Sequence, residues 1–342
     1  MENWIKSNGK NEDLVLSSRI RLARNLNDTP FPHKLSVEGG KEVVNLIEDA
    51  FYTSSHTSDE FKTNYLWKKD SIENEIFLER HLISRTLLEH YNKAAFILDK
   101  NETTGIMINE EDHVRIQCIT SGFNLEEVYD VSNKIDNLLE EKLTYAFDER
   151  LGYLTSCPTN IGSGIRASIM IHLPALSLNN KMTGILNAVS QLGMTIRGLY
   201  GEGSKAEGNI YQISNQVTLG LSEEEIVNNL KAVVSQIINQ ENITRETFFT
   251  NYKYELEDKI YRGLGILKSS VLLDIEECLK LLSDVRLGVE MGIIKDVDKV
   301  TLNNLLVDTQ GATIQGMYNK KLSDKEIKFY RAKLVRDRLT KH

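Results

Sequence analysis

The chain has 342 residues, 41% hydrophobic and 26% charged, the composition of an ordinary globular protein long enough for one large domain and a smaller one. Its net charge of -8 argues against general nucleic-acid binding, because no broad basic face is available for phosphate-backbone contact, and solubility is the plainer meaning of the acidity. Three widely spaced cysteines, Cys118, Cys157 and Cys278, exclude a disulfide framework or a CxxC metal site, and no apolar run approaches membrane-spanning length. The first ten residues are polar without a hydrophobic signal core, so the expectation is a cytosolic protein with no membrane association.

In chain order, Ser17-Ser18-Arg19-Ile20-Arg21-Leu22 reads as strand, with Arg19 and Arg21 two apart and therefore on one face. Residues 36–51 have helical periodicity. Residues 94–98, 104–109 and 114–120 read as strands, so 109–113 is a tight connection or the polar end of a hairpin. Residues 124–143 form a helix whose apolar face is Leu125, Val128, Val131, Ile135, Leu138 and Leu139. Beyond them come a strand at 168–173, a helix at 181–192, a strand at 195–200, a glycine-rich loop at 201–208 and a strand at 210–219. Ser222 with Glu225 makes a capping box that opens a helix carrying Ile226, Leu230, Val233, Val234, Ile237 and Ile238. The fold class is α+β. From about residue 243 the strand signal ends, and 248–261, 274–291, 296–308 and 323–339 read as helices, the last opened by a second capping box, Ser323 with Glu326. The expected division is 1–245 and 246–342, the second part all-helical and of a size that commonly builds a small bundle or dimerises.

Asn109-Glu110-Glu111-Asp112-His113-Val114-Arg115 places charge where a core strand should run, which is costly unless it is used. Between residues 86 and 244 there are only four arginines, Arg115, Arg150, Arg166 and Arg197, and three of them sit in apolar or glycine-rich surroundings. With Arg19 and Arg21 they form a converging set. A guanidinium keeps its charge and carries a rigid fork of donors, so several aimed at one cavity imply a polyanion such as a nucleoside triphosphate. Any one alone reads more simply as a salt-bridge partner, but five would need a matching set of buried carboxylates, and the candidates are few.

Ser18-Arg19-Ile20-Arg21, the Asn109 to Arg115 heptapeptide, Cys157-Pro158-Thr159-Asn160-Ile161-Gly162, Arg166-Ala167-Ser168 and Arg197-Gly198-Leu199-Tyr200-Gly201-Glu202 resemble, in order, the motifs of the ATP:guanido phosphotransferases, which include the arginine and creatine kinases. The resemblance implies a mostly antiparallel sheet flanked by helices, the glutamine synthetase/guanido kinase-like catalytic domain. The metabolic members carry a helical domain ahead of the Ser-Arg-x-Arg motif. Here that motif begins by residue 17 and the extra domain is C-terminal, an architecture similar to the bacterial McsB family of protein-arginine kinases over essentially the whole chain.

That resemblance implies an ATP site of Ser18, Arg19, Ile20, Arg21, His81, Arg115, Arg166, Ala167, Ser168, Ile169, Met170, Arg197, Gly198, Leu199, Tyr200 and Gly201, with His81 near the nucleoside and Mg2+ held chiefly by phosphate oxygens and water. No tight acidic ligand cluster is evident in the sequence. Glu111 and Glu202 are the implied catalytic carboxylates, gripping the acceptor guanidinium, with Glu111 as base. Because a carboxylate is a poor base for a group whose pKa exceeds about 12, proton transfer must be coupled to N–P bond formation, and orientation contributes more than basicity. Glu110 and Asp112 read as supporting or surface acids, Asn109 and His113 as hairpin-setting residues. Cys157 is either a tuned thiolate beside the acceptor or a packed thiol without chemistry.

Three functions are compatible with these residues. The first is a protein-arginine kinase, its acceptor pocket open to an arginine on a protein surface. The second is a phosphagen kinase for free arginine or a related guanidino compound, and the third a non-catalytic adaptor for a repressor or Clp protease. The first implies regulated degradation of marked proteins, control of a CtsR-type heat-shock repressor, an McsA-type activator and ClpC as partners, and a homodimer. The family often carries Arg-Asp-x-x-Arg-Ala in its C-terminal domain. Here the corresponding residues are Ile327-Lys328-Phe329-Tyr330-Arg331-Ala332, so the first pair is missing and Arg331 is left with a structural role.

Overall fold

The structure, a computed structural model, describes residues 1–7, 14–54, 58–198 and 206–340. In chain order it runs β1 (Val15–Arg24), α1 (Val37–Ser54), β2 (Phe61–Tyr65), α2 (Ser71–Glu79), α3 (Arg85–Glu89), β3 (Ala95–Asp99), β4 (Thr104–Ile108), β5 (Val114–Ser121) and α4 (Leu125–Glu140). There follow β6 (Phe147–Asp148), β7 (Gly152–Tyr153), β8 (Ile165–His172), α5 (Pro174–Leu178), α6 (Met182–Gln191), β9 (Met194–Arg197), β10 (Ile210–Asn215) and α7 (Glu223–Asn251). The chain then continues only in helices, α8 (Lys253–Ser269), α9 (Ile275–Glu290), α10 (Lys299–Asp308), α11 (Gly311–Tyr318) and α12 (Asp324–Leu339).

Eight strands form one antiparallel sheet in the order β2-β3-β4-β5-β1-β8-β10-β9, with β6 and β7 as a separate hairpin. Strand β1, which carries Arg19 and Arg21, lies at the centre between β5 and β8. Strand alternation gives the sheet two unlike faces. Ile20, Leu22, Ile116, Cys118, Ala167, Ile169, Ile171 and Ile213 are fully buried on one of them, in a core shared with apolar residues of α1, α4, α6 and α7. Each isoleucine or leucine among them contributes about 1.5–3 kcal/mol of burial free energy.

The second face is only partly covered by apolar side chains. At one end Phe96 and Met107 pack with Leu66, Leu82, Ile83 and Leu87, and at the other Ile119, Met170 and Ile210 pack with Trp4 and with Leu279, Leu306 and Val307 of the C-terminal helices. A polar strip is left between these two clusters. The C-terminal helices have their own core, including Ile260, Leu282, Val285, Leu305 and Val335. They are tied to the rest by Glu79, whose carboxylate accepts from Ala312 N at 2.8 Å, Thr313 N at 2.7 Å and Thr313 Oγ1 at 2.7 Å, capping α11.

Both expected capping boxes are formed, at Ser222 with Glu225 and at Ser323 with Glu326. The helix expected over 248–261 is instead interrupted at Tyr252, whose φ of -136° and ψ of 40° lie outside the helical region. There α8 turns away to pack on α9, a tertiary preference that Asn251-Tyr252-Lys253 does not announce with glycine or proline. Strand β2 and helices α2, α3, α5 and α11 are additional to the expected elements. Most are short, and short segments leave too few turns for periodicity to register.

Candidate active site

The register places five arginines on the polar face. Arg21 lies between Gln117 on β5 and Arg166 on β8, Arg115 lies opposite Ala23, and Arg19 lies opposite Ser168. Ser168 pairs with Ser214, Met170 with Gln212, and Gln212 with Arg197. Like charges directly across a ladder destabilise a sheet, so Arg21 beside Arg166 is an arrangement that folding alone disfavours.

The hydrogen bonds formed by Arg19 and Arg21, the two arginines that β1 turns to this face, go to neutral groups. Arg19 donates from Nη2 to Gln212 Oε1 at 2.7 Å and from Nε to Ser168 Oγ at 3.3 Å, and Arg21 donates from Nε to Gln117 Oε1 at 2.7 Å. Arg166 donates to Ser214 Oγ at 3.3 Å. Burial first, then the neighbouring charges of Arg115 and Arg166, pull the Arg19 pKa down to about 9. Burial, Arg19 and Arg115 push that of Arg21 well below its ordinary value. Arg19 stays cationic at neutral pH, and the face has the electrostatics of an anion site.

Arg115 has a close carboxylate partner, Glu110 Oε2 at 2.5 Å, with Glu111 Oε2 at 3.7 Å. Glu110 is buried, accepts from Ser84 Oγ and from Glu111 N, and is held at a pKa of about 2, where burial is outweighed by Arg115 and these hydrogen bonds. It is therefore not a surface acid, and neither is the fully buried Asp112. Glu111 is half-buried at the open side of this pair, its pKa raised by burial and then by Glu110. Asn109 has φ +59° and its N–H donates to His113 O at 3.1 Å, closing the β4–β5 connection as expected.

His81 is buried with φ +61° and stands edge-on to Trp4, ring centroids 5.6 Å apart. Burial, Arg19 and Arg21 lower its pKa to about 3, so it is neutral. Its carbonyl accepts from Gln117 Nε2 at 2.9 Å, the same amide that holds Arg21. The Cys157 loop approaches from the Glu111 side, because Ser156 N donates to Asp112 Oδ1 at 2.7 Å. Cys157 is partly exposed, with Sγ 3.1 Å from Thr159 Oγ1.

Arg19, Arg21, His81, Arg115, Arg166, Ser168, Met170 and Arg197 are thus brought to one face, Met170 within the apolar cluster around Trp4. Four of the expected residues are not. The side chains of Ile20, Ala167 and Ile169 are in the hydrophobic core on the opposite face, and Ser18 Oγ, on that face too, donates to Gly122 O at 2.7 Å and accepts from Asn124 N at 2.8 Å. Period-2 alternation requires this once the arginines face the other way. Gly198 is buried at the end of β9, and Leu199, Tyr200, Gly201 and the expected catalytic Glu202 lie outside the described residues. Gln117, Gln212, Ser214, Ser84 and the burial of Glu110 were not anticipated. The first three carry a readable signal, a polar residue two positions along from an arginine or from another polar residue in an apolar strand.

Residues 42–244 match the model of the ATP:guanido phosphotransferase C-terminal catalytic domain, so the chain belongs to the ATP:guanido phosphotransferase family. Residues 253–342 match the protein-arginine kinase McsB C-terminal domain. A protein-arginine kinase of Clostridium kluyveri is 68% identical over 340 residues, 99% of each chain. That of Clostridium acetobutylicum is 60% identical over 99% of this chain and 100% of its own, and that of a Geobacillus species 46% over 99% and 94%. Among solved structures a lombricine kinase is similar at 28% identity and a TM-score of 0.60, covering 68% of each chain. A duplicated taurocyamine kinase of Schistosoma mansoni shares the fold, with a TM-score of 0.62 over 80% of this chain and 40% of its own.

Proposed function

We propose that the chain is a protein-arginine kinase that transfers the γ-phosphoryl group of ATP to arginine side chains of proteins. The observation that carries this reading is a sheet face on which five arginines converge beside one half-buried carboxylate, in a chain whose full-length relatives are named for that activity.

Arg19, Arg21, Arg115, Arg166 and Arg197 hold the triphosphate, fixing the γ-phosphorus and neutralising the charge that spreads over its oxygens during transfer. Neutral His81, edge-on to Trp4, faces the nucleoside. The Mg2+ that accompanies ATP would be held chiefly by phosphate oxygens and water, where it would add charge neutralisation. Glu111, with Glu202 by motif, grips the acceptor guanidinium and aims one Nη at the γ-phosphorus. The Nη–P bond forms as the bond from phosphorus to the β,γ-bridging oxygen breaks. ADP leaves with that electron pair, and the guanidinium proton passes to Glu111. The raised proton affinity of Glu111 suits that late transfer.

In the same reading the phosphorylated proteins are marked for degradation by ClpC and include a CtsR-type heat-shock repressor. The enzyme works in the cytoplasm with an McsA-type activator, and residues 246–342 serve dimerisation or partner binding. Arg331 takes a structural part, its Nε donating to Thr309 O at 2.7 Å and Nη1 to Leu273 O at 3.0 Å. Incubation with Mg-ATP and either free arginine or an arginine-rich protein tests the central claim. Acid-labile phosphate is expected on the protein, and its appearance on free arginine alone would overturn the reading.

A further inference from the structure

Arg24 is 1% exposed and lies on the opposite face of β1 from Arg19 and Arg21, where an apolar residue would be the inexpensive choice. Its charge is balanced by Asp136 Oδ2, 2.9 Å from Nε and 2.6 Å from Nη2, and by Glu223 Oε1 at 3.3 Å. A purely structural ion pair would need nothing more. Yet Nη1 donates to Ser163 O at 2.9 Å, and the guanidinium carbon lies 3.5 Å from the centroid of the Tyr153 ring. Tyr153 and Ser163 stand at the two ends of the Cys157 loop, which is closed by the Tyr153–Gly162 bridge. The loop's return is shaped to the same group. At Gly164, with φ +67°, an added Cβ would come within 2.8 Å of Arg24 Nη1 and 2.7 Å of Ala23 O, so only glycine fits without displacement.

Asn25 holds the rest of the loop. Its Nδ2 donates to Leu154 O at 3.0 Å and to Asp112 Oδ1 at 2.6 Å, and its Oδ1 accepts from His113 N at 3.0 Å. Since Asp112 Oδ1 also accepts from Ser156 N, one side chain spans the Glu111 hairpin and the segment leading into Cys157.

We propose that Arg24 and Asn25 are positioning residues that fix the Cys157 loop against Glu111, so that the last residue of β1 and the one after it set the acceptor pocket while Arg19 and Arg21 within the strand set the donor site. The proposal rests on the reading of Glu111 as the acceptor-side carboxylate. Phosphate contacts then depend on the middle of β1 and acceptor contacts on its end.

The full chain, Mg-ATP and an arginine-rich protein acceptor provide the test. Arg24→Lys keeps a cation for Asp136 but loses the fork. It is expected to raise the acceptor KM and lower acceptor kcat/KM by up to about 10²-fold, the cost of a displacement on the order of 1 Å, with the ATP dissociation constant unchanged. Iodoacetamide should label Cys157 at an altered rate, and Cys118 and Cys278 are buried and do not contribute. Tyr153→Leu, at a half-buried position, is expected to act in the same direction more weakly, while Tyr153→Phe, which keeps the ring, retains wild-type values. Unaltered acceptor kinetics and Cys157 labelling in both Arg24→Lys and Tyr153→Leu, or an equal loss of ATP affinity, would overturn the proposal. Glu111→Gln run in parallel separates the two layers. If it keeps full turnover, the reading of Glu111 fails. If it is inactive while Arg24→Lys is silent, only the positioning role fails.

Discussion

Two clusters of buried arginine in this molecule differ in their company. Arg19 of the sheet face and Arg245 of α7 are equally hidden, 6% and 7% exposed. Arg245 meets carboxylates, Glu241 Oε1 at 2.8 Å and Glu290 Oε2 at 2.8 Å, with Arg286 Nη1 3.7 Å from Glu290 and His172 Nδ1 3.3 Å away. Its pKa is raised by Glu290 and Glu241 against the penalty of burial, and Glu290 is held at about 2 by His172, Arg245 and Arg286, again against burial. Arg19 and Arg21 meet amides, a hydroxyl and other arginines, and their pKa values fall. Burial therefore does not separate the two clusters. Charge balance does, and in the proposed function the charge of Arg19 and Arg21 is what an incoming triphosphate would balance.

The contrast can be broken by substitution. Arg21→Ala should lower kcat/KM on the order of 10³-fold while leaving the melting temperature unchanged or higher, because a like charge beside Arg19 and Arg166 is removed. Steady-state kinetics with calorimetry checks both, and a large stability loss would erase the distinction. Arg245→Ala should do the reverse, destabilising by about 3–5 kcal/mol in urea unfolding because Glu290 is left buried with less compensation, with ATP affinity of the folded fraction retained. ATP without acceptor should stabilise the wild type by about 2.7 kcal/mol at ~100 times its dissociation constant. Arg19→Ala should remove most of that shift in a thermal melt at equal nucleotide concentration, whereas Arg245→Ala should not.

The smallest expected effect is on pH dependence. His81 is neutral in the folded state with a pKa of about 3, below the unfolded value near 6.5. The unfolded state therefore binds more protons below about 6.5. The stability associated with a neutral His81 is fully present above that pH and is lost as pH falls through 6.5 toward 3. His113, pushed down to about 4 by burial, acts in the same sense. Between pH 7 and pH 5 one such histidine contributes a loss of about 2 kcal/mol, and His81→Asn should flatten the melting-temperature profile over that window. Glu110 and Glu290, both held at about 2, lose their contributions as pH falls from about 4.5 toward 2, below that window.

The central strands, the long helices and the arginine set were legible because each is a periodic signal over many residues, and polar residues at period 2 in apolar strands mark a face. What was not legible depends on contacts distant in sequence. Glu110 reads as one acid among three until Ser84 and Arg115 enclose it. Arg24 reads as the end of a strand until Asp136, Ser163 and Tyr153 surround it. Motif resemblance marked Ile20, Ala167 and Ile169 as contiguous site residues, but a pleated strand can turn only alternate side chains toward one ligand.

Trp4 joins the two ends of the polypeptide. Its carbonyl accepts from Asn303 Nδ2 of α10 at 3.1 Å, its indole is 1% exposed among Leu279, Leu306 and Val307, and the same ring meets His81 edge-on. The sequence holds one other tryptophan, Trp67. With Trp67→Phe the chain therefore has a single tryptophan, excitable apart from its 13 tyrosines and seated where the C-terminal helices touch the proposed nucleotide side. The emission of that indole reports in real time whether events in the last hundred residues reach the kinase centre.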